Sequence, residues 1–425
     1  MSRLFFVIVV FLFFTQTLLA DNHKDDDGKD SLAYSEDYFT QDFLMHIDSM
    51  LSFFQPSTFQ LVNDNKKANN FNFAEDSVPI YPLLTYEYRL AKINEQTPIR
   101  LDYNEQVQHY IDLYTIRQRK LFAKIIGRSK YYFPLFEEQL EKYNIPLELK
   151  YLVVIESALN PEARSPSGAV GLWQFMYNTG KILGLKINSF VDERRDPYKS
   201  TEAACKYLSY LYRTFNDWQL AIAAYNGGPG VVRDAIEKSG GITDFWKLRK
   251  YLPKQTQSYV PAFIAVNYAF NYIDEHNVTE KSFKYNFSQV DTIKGISGLY
   301  FSKIASQIDI PVKTLKLLNP EYKKQYIPKN KKNNILVLPK EKKQEFLNTF
   351  NSQEQEYKST VYSDLPNSEE LKVGRERIIH VVKHGEYFHQ LALEYNCTIK
   401  NIKDWNNLNS NSIYSSQKLI IYVQK

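Results

Sequence analysis

The sequence has little cysteine and no strong excess of either charge, and both shortages narrow what the chain can be. Only two cysteines, Cys205 and Cys397, occur in 425 residues. They are far apart and lack metal-ligand spacing, so neither a disulfide framework nor a zinc site is expected, and no cofactor. Cys205 follows Ala203 and Ala204 in a helical pattern, where a small apolar side chain suits a core. The formal net charge is +5, small for this length. Eight lysines fall between Lys323 and Lys343, and they read as a solvated loop rather than a polyanion patch. No nucleic-acid motif accompanies them, so nucleic acid is not the expected partner. The cluster Gly227-Gly228-Pro229-Gly230 is not a phosphate loop, because no Gly-Lys-Ser or Gly-Lys-Thr follows.

Hydrophobic residues make up 44% of the chain, enough to bury a sizeable core. Aromatics reach 15%, mostly from 32 Tyr and 27 Phe, and rings of this kind serve cores and sugar-binding grooves alike. The first twenty residues read as an export signal, with Arg3, an apolar run from Leu4 to Phe14, and Ala20 before an acidic stretch. An uncleaved N-terminal anchor is the alternative, and it is the only link to a membrane expected. No cysteine stands at the signal's end for lipid attachment. The expected location is therefore the periplasm or cell envelope.

Residues 21–103 read as an N-terminal extension, partly helical and partly linker, with an amphipathic piece from Asp37 to Phe54. From Asn104 to Gly127, Val107, Ile111, Tyr114, Leu121 and Ile125 recur at helical spacing. A second helix is predicted over Pro134–Tyr143 and a third after Pro146, through Leu147 to Ser157. Helical patterns continue to Asn271, clearest over Thr201–Phe215 and Trp218–Tyr225. Beyond this, residues 287–340 and 378–424 each open and close on a strand-like run around two short helical patterns. Residues 341–377 between them are polar and read as a linker. The fold class that results is a mainly α domain over 104–275 followed by two small α+β modules.

One stretch carries chemistry: Ile155-Glu156-Ser157-Ala158-Leu159-Asn160-Pro161, then Ser165-Pro166-Ser167-Gly168-Ala169-Val170-Gly171-Leu172-Trp173-Gln174-Phe175-Met176. A carboxyl at the end of an apolar helix is disfavoured as an anion, and its pKa rises toward the value a general acid needs. A glutamate at a helix end is more often a cap or an ion-pair partner. Gln174 and Ser165 have an alternative use as turn hydrogen-bonders, Met176 as core filler, and Tyr225 as the end of a helix before the glycines. Asp192 and Asp196 invite a paired-carboxylate mechanism, but the arginines between them favour a structural ion-pair network.

This stretch resembles the soluble lytic transglycosylase domain, a lysozyme-like fold, and most closely the membrane-bound lytic murein transglycosylase D family. Glu156-Ser157, Ser165, Gly171-Leu172-Trp173-Gln174, Asp192-Glu193-Arg194-Arg195-Asp196-Pro197 and Ala224-Tyr225-Asn226-Gly227 match that family's motifs in order. The resemblance implies cleavage of the bond between MurNAc and GlcNAc in peptidoglycan, with Glu156 as sole acid/base. It implies that the sugar's own 6-hydroxyl closes a 1,6-anhydro ring, so that no second carboxylate is required. It places Ser165, Gln174, Met176, Tyr225 and Asn226 around the sugars. One position departs: Gln255-Thr256 stands where the family has Glu-Thr, ahead of Tyr259-Val260-Pro261.

Residues 378–424 are similar to a LysM module, with His380-Val381-Val382, Gly385-Glu386-Tyr387-Phe388 and Trp405-Asn406-Asn407-Leu408 in its positions. The resemblance implies binding of glycan strands through Gly385, Glu386, Tyr387, Ile413 and Tyr414. Residues 287–340 look like a degenerate copy, either a spacer or a binder. Two other functions stay open: a lysozyme-type hydrolase of the same fold, and an inactive wall-binding scaffold.

Overall fold

The computed structural model describes residues 71–74, 76–329, 334–350, 375–383, 386, 388–395, 397–408 and 413–424. The expected signal at 1–20, the amphipathic piece 37–54, and Gly385 and Tyr387 lie outside the described residues.

Among the described residues the first helices are α1 (Leu83–Asn94) and α2 (Glu105–Asp112). Asn104 caps α2 by accepting from the Val107 amide at 3.0 Å, and Val107, Tyr110 and Ile111 form its buried face. Five π-helical residues, Leu113–Arg117, lead into the long helix α3 (Arg119–Lys142). The helices predicted on either side of Pro134 are thus one. Proline removes one helical hydrogen bond and costs about 3 kcal/mol in an isolated helix. Here the flanking Tyr131, Tyr132, Phe133 and Phe136 are all buried, and that packing outweighs the missing bond. Gly127 in α3 is where another segment crosses, since a Cβ there would meet the Lys281 carbonyl oxygen at 1.8 Å.

A 3₁₀ turn, Leu147–Tyr151, continues into the short α4 (Leu152–Ser157). After α5 (Tyr177–Ile182) come α6 (Pro197–Phe215) and α7 (Trp218–Gly227). Asp196 caps α6 through the Tyr198 and Lys199 amides, and Asp217 caps α7 through the Leu220 amide. Next come α8 (Pro229–Lys238), α9 (Phe245–Leu248) and α10 (Lys254–Asn271). From Tyr259 to Ala269, α10 is buried on every side, which makes it the central helix against which α2, α4 and α7 pack.

The first small module is β1 (Val290–Lys294), β2 (Leu299–Tyr300), α11 (Phe301–Gln307), α12 (Val312–Leu318), β3 (Tyr326–Ile327), β4 (Ile335–Pro339) and α13 (Lys343–Phe350). β1 pairs antiparallel with β4, and β2 with β3. The linker expected from 341 therefore starts too early, because α13 buries Phe346 and Leu347 in the module's core. The second module is β5 (Arg375–Val381), α14 (Phe388–Glu394), α15 (Ile399–Trp405) and β6 (Lys418–Gln424), with β5 and β6 antiparallel. One asparagine marks the shared plan. Asn319 after α12 bonds the Val337 carbonyl and amide at 2.8 and 2.7 Å, and Asn406 after α15 does the same at Ile420, at 2.8 and 2.6 Å.

The sequence boundaries at 104 and 275 divide a continuous core. Tyr86, Leu90, Ile99 and Leu101 are buried with α2 and α10, and so are Leu318 and Val337 of the first module. In the other direction, Val191 is buried in the first module's core. Val191 and Tyr322 form an antiparallel bridge, and the Asp192 amide donates to the Glu321 carbonyl at 3.0 Å.

Candidate active site

Glu156 stands on the last turn of α4, which ends because Ala158 and Leu159 turn left-handed at φ 49° and 58°. Three bonds fix that end. The Ser157 hydroxyl donates to Val153 O at 3.0 Å and Leu172 O at 2.8 Å, and Arg128 donates to Ala158 O at 2.9 Å. Ser157 thus ties the helix directly to the loop carrying Gln174.

The rest of α4 is buried, while Glu156 keeps an edge open to solvent. Burial pushes its carboxyl up to about 7, against the opposing effect of the Tyr259 hydroxyl, which donates to Oε1. Among the described residues, no charged side chain contributes to that shift. Tyr225 and Tyr259 flank the carboxyl, and burial first, then the Glu156 charge, raises both phenols well above their ordinary value. The site therefore holds an acid that can give up its proton near neutrality beside two phenols that stay protonated.

Tyr259 was not among the expected site residues. Its signal lay in the Tyr-Val-Pro stretch of α10, but nothing local tied it to a glutamate far upstream. Gln255, four residues before it, is exposed in the first turn of α10.

The expected sugar-contact residues take different positions. Met176 is 44% exposed and so is not core filler. Tyr225 faces Glu156 with its hydroxyl donated to Trp173 O at 2.9 Å. Asn226 accepts from Thr256 at 3.0 Å, joining the end of α7 to α10. Gln174, at φ 49°, donates to Ala163 O and Gly171 O, while its Oε1 finds no donor among the described residues. Ser165 works as a turn residue: its hydroxyl accepts from the Ala169 amide at 3.0 Å and bonds Ser167 at 2.9 Å.

Asp192 and Asp196 are committed elsewhere, and the ion pair with an arginine that the sequence suggested for both forms at Asp192 only. Asp192 holds Arg194 with two bonds of 2.9 and 2.8 Å, and Asp196 caps α6. Arg194 in turn donates to Phe175 O at 3.1 Å and Gly168 O at 3.4 Å, bracing the Gln174 loop. Gly171, at φ 91°, has to be glycine here: a Cβ would lie 1.9 Å from the Arg194 carbonyl oxygen.

In the second module two expected wall contacts have internal positions. Ile413 is buried in the module core. The Glu386 carboxylate accepts from the Lys383 amide at 2.8 Å and pairs with His380 Nε2 at 2.7 Å, while His380 Nδ1 meets the Tyr395 hydroxyl. Tyr414, at 62% exposure, faces solvent.

Three family models match the chain in order. They are the transglycosylase SLT domain over residues 134–245, the LysM-like domain of lytic transglycosylase MltD over 289–355, and the LysM domain over 380–421. The membrane-bound lytic murein transglycosylase D of Escherichia coli (strain K12) is 27% identical over 343 residues, 78% of this chain and 72% of that protein. Together these findings support the lytic murein transglycosylase D family.

The soluble lytic murein transglycosylase of the same strain is 30% identical over 167 residues, 36% of this chain and 26% of that protein. Among solved structures, the 70 kDa soluble lytic transglycosylase Slt70 from Escherichia coli matches 35% of this chain and 26% of its own, at 29% identity and a TM-score of 0.28. The first small module, read from sequence as a degenerate LysM copy, has a LysM-like model of this family to itself.

Proposed function

We propose that Glu156 is the single acid/base of this peptidoglycan lytic transglycosylase. Its carboxyl protonates the glycosidic oxygen between MurNAc and GlcNAc as that bond breaks. The resulting carboxylate then takes the proton from the same sugar's 6-hydroxyl, whose oxygen closes onto C1 as a 1,6-anhydro ring. One group gives a proton and regains it, so the two-carboxylate arrangement of ordinary glycosidases is not needed.

The observation that carries this reading is the isolation of Glu156. Burial alone raises its carboxyl, and the two aspartates nearest in motif order are held by Arg194 and by the start of α6. Met176, at the exposed rim, receives an apolar sugar face, and Gln174 Oε1 is matched by a substrate N–H or O–H group. Tyr225 and Asn226 support the cleft floor, and Ser165 keeps the loop in shape. The LysM module holds the enzyme on the wall, with Tyr414 as its contact, and the cell envelope is where the enzyme works.

Digestion of purified sacculi, followed by mass spectrometry of the fragments, tests the proposal. Anhydro-muropeptides are expected, and Glu156→Gln should lower their yield about 10³-fold or more while leaving the fold intact. Reducing ends instead would make the enzyme a hydrolase. A folded Glu156→Gln protein within tenfold of wild type would remove Glu156 from the role.

A further inference from the structure

Where the first small module meets the catalytic domain, three buried carboxyls share one ammonium. Glu193 and Asp196 stand just before α6. Lys199, in the first turn of α6, donates to Glu193 Oε1 at 2.7 Å and lies 3.7 Å from Asp196 Oδ2. Glu321, only 4% exposed, comes from the module, in the turn after α12. Asp192 is balanced separately by Arg194.

The three are not equally suited to carry charge. Glu193 has the Lys199 ammonium on one oxygen and the Lys186 amide, at 2.7 Å, on the other. Asp196 Oδ1 accepts from the Tyr198 and Lys199 amides, while its Oδ2 accepts no hydrogen bond among the described residues. Glu321 is served by its own backbone amide and feels the charges of Asp196 and Glu193 against that of Lys199. Burial first, then the Asp196 charge, raises its carboxyl well above the ordinary value, and burial raises Asp196 as well. A buried carboxyl with few donors and two anionic neighbours keeps its proton, so the proton of this cluster belongs on Glu321. The other titratable groups turned toward it are Tyr131 and Glu138 of α3, Tyr198 of α6, Tyr322 beside it, and Asp291 of β1. Asp291 is held at 3.1 Å by Lys343 of α13.

A cavity of about 280 Å³ lies beside Asp196 and Glu321, walled by Leu135 of α3 on one side and by Leu318 and Val337 of the module on the other. It has room for water, and an ionised Glu321 would draw water in between the two faces. The backbone at this point leads to the cleft. The Asp192 amide donates to Glu321 O at 3.0 Å, and Val191 bridges Tyr322. Two residues on, Arg194 donates to Gly168 O and Phe175 O, and its own carbonyl lies beneath Gly171. The turn that meets Glu321 is therefore also the turn that shapes the Gln174 loop.

We infer that Glu321 is a positioning residue for the Glu156 cleft: protonated, it locks the first module against the turn 192–196 and so fixes the Gln174 loop; ionised, it admits water to the seam and loosens that loop. The catalytic consequence rests on Glu156 being the acid, whereas the state of the seam does not. The sign follows from the direction of the shift. A carboxyl raised in the folded seam contributes its full stability below the ordinary glutamate value of about 4.3, and that contribution is lost as pH rises toward and through the folded value.

The test follows amide hydrogen exchange in the full-length wild-type chain without glycan, corrected for the intrinsic rate at each pH. From about pH 5 to about pH 8, protection in the segments 190–193 and 320–323 should fall about tenfold or more relative to α10, since one pH unit of carboxyl shift is a factor of ten. Glu321→Gln keeps the shape but cannot ionise, and its protection should hold within about threefold over the same range. Lys199→Met removes the ammonium and should enlarge the fall. For catalysis, kcat/KM on soluble glycan strands is compared between Glu321→Gln and wild type at each pH. The ratio should stay near one at the acid end and rise by about threefold or more at the alkaline end. Glu156 titrates in both proteins and cancels, and a merely structural role for Glu321 would move the ratio equally at every pH. Seam protection that ignores pH in the wild-type chain would overturn the proposal. The same fall in folded Glu321→Gln would overturn it too, and a flat activity ratio beside a pH-dependent seam would sever the link to the cleft. Should Glu321→Gln not fold, the wild-type and Lys199→Met exchange profiles still decide. A failure of the Glu156 mechanism would appear in the product chemistry and leave the exchange result unchanged.

Discussion

Removing the Tyr259 hydroxyl is the most direct probe of how the acid is set. The Glu156 carboxyl rests at about 7 as a balance between burial, which raises it, and the Tyr259 hydrogen bond, which lowers it. Tyr259→Phe deletes only the opposing contribution, so the pKa must rise. A hydrogen bond to a charged group is worth about 1.5–3 kcal/mol, and each pH unit corresponds to about 1.4 kcal/mol. Water can reach the open edge of Glu156 and replace part of the lost bond, which selects the lower end, a rise of about one pH unit. The sign for activity follows from the role. A general acid works protonated, so kcat/KM holds at low pH and falls as pH climbs through the pKa of the free enzyme. The alkaline limb should begin near the wild-type value of about 7 and shift to roughly 8 in Tyr259→Phe. The assay is kcat/KM on soluble glycan strands across that range, with the ratio of variant to wild type rising with pH. A limb that stays in place, or moves to lower pH, would refute the account of how this carboxyl is tuned.

Three further outcomes follow from the geometry. Gln255→Glu restores a carboxylate at an exposed first-turn position, where the helix dipole stabilises it by about 0.3–1 kcal/mol. Thermal melting should rise slightly and cleavage should change less than about twofold. Gly171→Ala places a Cβ against the Arg194 carbonyl at positive φ and should cost at least about 2 kcal/mol in urea unfolding. Gly168→Ala, with the same sign of φ but open space around it, should cost about 1 kcal/mol. Truncation after Tyr272 removes the Lys281 amide from Ala123 O and the Glu321 and Tyr322 contacts from the 191–192 backbone. That fragment should be poorly folded by melting and exchange, whereas truncation after Phe350 should keep cleavage of soluble strands and lose sacculus affinity.

What the sequence made legible was local. The Glu156 helix end and the Asp192–Arg194 pair join residues only a few positions apart, and each follows from residue type and spacing. What escaped was set at long range. Tyr259 reaches Glu156 across 103 residues, and no pattern near either end announces the bond. Pro134 reads as a helix boundary because its local cost is real, and only the packing of the flanking Tyr131, Phe133 and Phe136 against rings from distant segments reverses it. Met176 is ambiguous for a related reason. A flexible apolar side chain suits a core or a cleft rim equally, and the path of the backbone alone decides that it is exposed.

The domain boundaries show the same division between local pattern and tertiary packing. Both small modules carry one pattern of strands and helices, down to the asparagine that pins the second helix to the closing strand, so they parse alike from sequence. Burial separates them. Leu318 and Val337 of the first module are buried in the catalytic core, and Val191 of the catalytic domain is buried in the module, whereas the second module closes a core of its own. A fold repeated twice has therefore been put to two physical uses. In the first copy the loops are bonded together through β2 and β3, and the module braces the 191–192 backbone that leads to Arg194. Arg194 holds the Gly168 and Phe175 carbonyls, and the loop between them carries Gln174. The first module is thus connected to the Gln174 loop by a continuous run of backbone and ion-pair contacts. Loosening Tyr322 should for that reason reach the active-site loop before it reaches the helical core.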